Sequence, residues 1–85
     1  MTTPTDPADP AAAARRTDVL MREARSVLRR LDKLSTTAAE AEPATRRLLD
    51  EAVAAVERLT EELAHQQHVD RRRLQEAIRR SRHDA

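Results

Sequence analysis

The sequence contains no glycine, no cysteine and no aromatic residue. Each absence removes a class of chemistry. Without glycine there is no Gly-rich loop to cradle a phosphate. Without cysteine there are no disulfides and no thiol nucleophile. Without aromatic rings there is no platform on which the bases of a single-stranded nucleic acid could stack. Long apolar runs are also missing, so no segment predicts a transmembrane helix. The opening residues, Met-Thr-Thr-Pro-Thr-Asp-Pro, have neither the basic start nor the apolar stretch of a signal peptide. The expectation is a cytoplasmic protein without a membrane span.

What remains is 85 residues, 39% hydrophobic and 36% charged, enough for one small domain. Alanine is the commonest apolar residue, so the potential core is thin. With no disulfide to staple it, self-association is the expected remedy. Lys+Arg 16 and Asp+Glu 15 nearly cancel, but the charges are arranged in blocks. Residues 15–34 and 70–85 are net basic and residues 35–69 are net acidic, which favours folding the middle back on the first block or pairing between copies. Arginine supplies every basic residue except Lys33. Together with the alanine content, this looks like the codon bias of a GC-rich bacterial genome. It weakens any argument that a given arginine is there for its chemistry.

Residues 1–9 have almost nothing to bury and predict a disordered tail. Asp9-Pro10 is a helix start: the carboxylate can cap exposed amides, and proline suits the first helical position. Leu20, Ala24, Val27, Leu31, Leu34 and Ala38 then recur at alternating steps of four and three, a heptad seam. In that frame Leu20, Val27 and Leu34 occupy d, while Ala24 and Leu31 occupy a. Met21 and Leu28 widen the stripe at e, and Thr17 is a weak a position. Pro43 disfavours a helical Glu42 and ends the first helix by that point. Leu49, Ala52, Val56, Leu59 and Leu63 repeat the pattern, flanked by Leu48, Val53 and Ala55. Both apolar faces span about three positions in seven, wider than the two that a two-stranded coiled coil needs. A wide face meets more than one neighbour.

The expected fold is all-α. A helix of about 10–36, a connection of about 35–43 and a helix of about 43–69 form an antiparallel helical hairpin over residues 10–69. An Arg-rich helical extension or short third helix covers 70–85, and the whole assembles into a multi-helix bundle. The packing residues are Leu20, Val27, Leu28, Leu31, Leu34, Leu49, Val53, Val56, Leu59 and Leu63. After Leu63 the seam falters, with Gln66 at d and Asp70 at a. Two readings stay open there: a continuous helix with a stutter, or a break with Asp70 capping a third helix.

The expected function is a non-enzymatic module for protein–protein interaction or oligomerisation, with no cofactor. Its partner would be another copy or another helical protein. The runner-up is a regulatory protein that grips nucleic-acid phosphates through Arg71, Arg72, Arg73, Arg79, Arg80 and Arg82. Arginine near a helix C-terminus is stabilising in itself, which argues against that reading. The spacing of Glu62 and His65 has the form of a di-iron ligand pair, and Glu61 and His68 lie nearby. The seam, however, turns both histidines outward and supplies no facing carboxylate. No metal site is expected. Changing His65 and His68 together to Gln should therefore shift the melting temperature by less than about 4 °C. Stabilisation by zinc or iron that the double variant abolishes would contradict this.

Overall fold

The computed structural model describes residues 9–83, so residues 1–8 of the expected tail and residues 84–85 lie outside it. Two helices account for almost all of the described chain: α1, Pro10–Thr37, and α2, Pro43–His83. No strand occurs among the described residues.

Local chemistry explains the ends. The Asp9 carboxylate accepts a hydrogen bond from the Ala11 amide at 3.0 Å, and Pro10 takes the first helical position. One of the amides that a helix start leaves without a partner is thereby satisfied. At the other end of α1, Thr36 and Thr37 donate to the carbonyls of Asp32 and Lys33. Such back-bonding does nothing to prolong a helix. No described residue adopts a positive φ, so α1 does not stop at the left-handed residue that glycine usually provides. It stops at Ala38, with φ −92° and ψ 23°, whose amide still reaches the Leu34 carbonyl at 2.9 Å. A turn at 38–40 leads to Pro43 at the head of α2.

α2 then runs without interruption through Asp70 to His83. Its 41 residues correspond to about 61 Å at 1.5 Å per residue, matching the 64 Å long axis of the molecule. Asp70 is an interior helical residue and caps nothing, so residues 70–83 belong to α2 and form no separate third helix.

The two helices pack on each other, and their contacts run in opposite order along the chain. Thr17 meets Asp70 and Asp18 meets Gln67, whereas Ser35 and Ala39 share a groove with Arg46, Leu49 and Asp50. The seam between them differs from the expected a/d seam. In α1 the covered or half-covered series runs Thr17, Met21, Ala24, Leu28, Leu31, Ser35 and Ala38, with residues 10–14 and Ser26 covered or half-covered as well. In α2 it runs Leu49, Val53, Val56, Thr60, Leu63, Gln67, Asp70, Leu74 and Ala77, with Ala52, Ala54 and Val69 also half-covered. Both series step by three and four, but through positions a and e. In this frame the seam of α2 continues past Leu63 without a stutter. The reason lies late in α2, where position d is held by Gln66, Arg73 and Arg80. An a/d seam would press Arg73 against the first turns of α1, and burying unpaired charge is prohibitive; Arg80 lies past the level of Pro10, where α1 begins.

The core is correspondingly slight. Among the described residues only Ala12, Met21 and Ala24 are buried apolar residues, and no large side chain is fully enclosed.

Candidate functional site

Two features stand out from this seam. The first is polar. Asp70 is only 2% exposed, and Thr17 is buried beside it. The Thr17 hydroxyl lies 2.6 Å from Asp70 Oδ2 and 3.1 Å from the Ala13 carbonyl oxygen. It has one proton to donate. The shorter bond to a charged acceptor takes it, leaving Ala13 as the weaker alternative. Gln66 donates from Nε2 to Asp70 Oδ1 at 2.8 Å, one turn away on the same helix. Just outside, Gln67 Nε2 donates to Asp18 Oδ1 at 2.9 Å.

The hydrogen bond from Thr17 holds the Asp70 carboxyl below its ordinary pKa, against the upward push of burial; Gln66, Arg73 and Arg16 add to the lowering. A carboxylate with a depressed pKa is a weak base, so this group is poorly suited to take a proton from a substrate. What it does well is hold two helices at one register.

The second feature is apolar. With about 100° per residue, position d lies about 80° to one side of an a/e seam and position b about 80° to the other. Because the contacts run in opposite order, equivalent positions of the two helices fall on the same side of the pair. The b side is mostly charged, with Asp18, Arg25, Asp32, Asp50, Glu57 and Arg71, broken by Ala64 and by Ile78, which is 47% exposed. The d side carries Leu20, Val27 and Leu34 from α1 and Ala52, Leu59 and Gln66 from α2, followed by Arg73 and Arg80. The leucines and valine there are open: Leu20 is 56% exposed, Val27 40%, Leu34 50% and Leu59 48%. Taking register midway between the Thr17–Asp70 and Asp18–Gln67 contacts, Val27 lies level with Leu59, Leu34 with Ala52 and Leu20 with Gln66. The stripe on α1 runs about 21 Å, from Leu20 to Leu34.

The ten residues expected to pack therefore divide in two. Leu28, Leu31, Leu49, Val53, Val56 and Leu63 are half-covered along the seam, while Leu20, Val27, Leu34 and Leu59 line the open side. The six arginines 71, 72, 73, 79, 80 and 82 are all exposed on α2. Arg72, Arg73, Arg79 and Arg80 spread from the outer side of the helix towards the open face. His65, His68, Glu61 and Glu62 are exposed. No cluster of three or more potential metal ligands exists among the described residues, and none of its helices is long and apolar enough to cross a membrane.

The residues that sequence reasoning missed are Thr17, Gln66 and Asp70 as a group. The signal was present but divided, since Thr17 and Asp70 were each noticed as a defect at position a. No known protein family, curated protein or solved structure matches the chain.

The polar cluster generates a stability prediction. Thr17→Val removes the donor and leaves a covered carboxylate short of a partner, at a cost of about 1–3 kcal/mol. Adding Asp70→Leu to that variant should recover most of the loss, because a matched apolar pair needs no donor. The pH dependence follows from the depressed pKa. The contribution of Asp70 is complete above the ordinary carboxylate range and is lost as pH falls through the lower folded-state value. Asp70→Asn should therefore flatten the decline in stability below about pH 4. Thermal melts at one fixed protein concentration across pH 2–6 would check both statements.

Proposed function

We propose that this chain is a small, non-enzymatic association module: an antiparallel helical hairpin whose second apolar face takes another protein, in a multi-helix bundle. The observation that carries the reading is the open d side. Four large aliphatic residues lie exposed along one face, while only three apolar residues are buried inside the pair. Two helices in a single layer cannot cover a face three positions wide. A further helical layer can.

Light scattering of the purified full chain should give a mass above that of one chain, with helicity and melting temperature rising with concentration. Leu59→Asp should lower the mass and the melting temperature together. A cooperatively folded monomer at every concentration, indifferent to Leu59→Asp, would rule the reading out.

A second reading rests on a different observation, the six exposed arginines at the end of α2. Such a helix end could neutralise the phosphates of a duplex without reading its bases. Retention of duplex DNA or RNA at low salt should then fall steeply with added salt. Changing Arg72 and Arg79 together should reduce the slope of that dependence by about two. Absence of retention at low salt would leave these arginines as a solvated helix end.

A further inference from the structure

We infer that the occupant of the open face is a second copy of this chain, laid across it about a two-fold axis that passes through the level of Val27 and Leu59. This rests on the association reading above and specifies both the partner and its orientation.

The argument is one of self-complementarity, which a two-fold interface requires: each residue must suit the one the axis brings opposite it. Seen from the open face, α1 presents positions d and g, namely Leu20, Glu23, Val27, Arg30 and Leu34. With the axis perpendicular to the helices at Val27, α1 packs antiparallel on the partner's α1. Val27 then meets its own equivalent once, while Leu20 meets Leu34 and Glu23 meets Arg30, each twice. α2 obeys the same axis. Leu59 meets itself, Gln66 faces Ala52, and Leu48 meets Val69. This last pair explains why Leu48, 66% exposed, stands outside the seam at the start of α2. Val27 and Leu59 are the centres of symmetry of the two helices, and the Thr17–Asp70 and Asp18–Gln67 contacts place them within about one residue of the same level.

The competing arrangement uses an axis parallel to the helices, so that α1 of one copy lies over α2 of the other. It keeps every residue at its own level. Glu23 would then face Glu62 and Arg16 would face Val69. Like charges in apposition and an arginine against an apolar side chain both disfavour it.

The absence of native cysteine makes the test direct. Val27→Cys, the only thiol in the full chain, should cross-link to a covalent dimer with a short bis-maleimide. Leu20→Cys alone should not, but an equimolar mixture of Leu20→Cys and Leu34→Cys chains should. Circular dichroism would verify that each variant keeps its helicity. Glu23→Arg sets Arg against Arg twice and should raise the dimer dissociation constant by about tenfold or more at low salt, with the double variant Glu23→Arg, Arg30→Glu restoring it. If the wild type is a dimer but Val27→Cys cross-links only in mixture with Leu59→Cys, or Glu23→Arg tightens it, the axis is wrong and the association reading survives. A wild type that stays monomeric would overturn both.

Discussion

The contact on which the rest of the structure depends is the hydrogen bond from Thr17 to Asp70. The apolar part of the seam is made of alanine, valine, leucine and one buried methionine, and such a surface packs nearly as well after a shift of one heptad. Asp70 does not tolerate the shift. Moved by seven residues, it would face Ala24 or Pro10 in place of Thr17, neither of which has a side-chain donor. A covered carboxylate without its donor costs about 1–3 kcal/mol, which a seam this thin has little to offset. One polar pair thus selects one register among several apolar ones, the role that a buried asparagine plays in some coiled coils. The short connection at 38–42 limits the alternatives further.

Register in turn decides which face stays open. With Asp70 and Gln67 on the seam, Arg73 and Arg80 remain in water. The helix must therefore turn its a and e positions inward along its whole length, because a straight helix keeps one phase from end to end. The same phase that frees Arg73 exposes Leu59 in the middle of α2. Across the seam it exposes Leu20, Val27 and Leu34. The open apolar face thus follows from a charge that cannot be buried near one end of the helix pair.

The sequence made the helices legible and left their phase undecided. Asp9-Pro10 and Pro43 mark both starts through local chemistry that needs no tertiary context. Phase is harder, because d and e are both apolar in α1: Leu20 and Met21, then Val27 and Leu28, are adjacent pairs of similar character. Periodicity alone cannot choose between directions about 100° apart. The residue that could choose, Arg73, lies beyond the part of α2 where the heptad looked regular, and its effect resembled a stutter. Register was also out of reach. Folding the chain about the middle of the expected connection places Thr17 opposite Glu61, more than two turns short of Asp70. Only the structure shows that the two seam defects are partners.

The missing residue types shape what remains. A chain without aromatic side chains cannot anchor an interface on a few large hot-spot residues, and its aliphatic surfaces are nearly interchangeable. Discrimination must then come from where polar groups interrupt them. Within one copy the interruption is buried, at Thr17 and Asp70, and it sets the register of two helices. Between copies, in the proposed dimer, it lies at the rim, where Glu23 and Arg30 flank Val27 with opposite signs. The difference in burial predicts a difference in behaviour. A rim pair in water is screened by salt, so orientation between copies should weaken with ionic strength. The Thr17–Asp70 hydrogen bond is covered and is screened less; it is lost when acid protonates the carboxylate. Two interfaces built from the same few side chains would therefore come apart under different conditions, first the association between copies and then the pair itself.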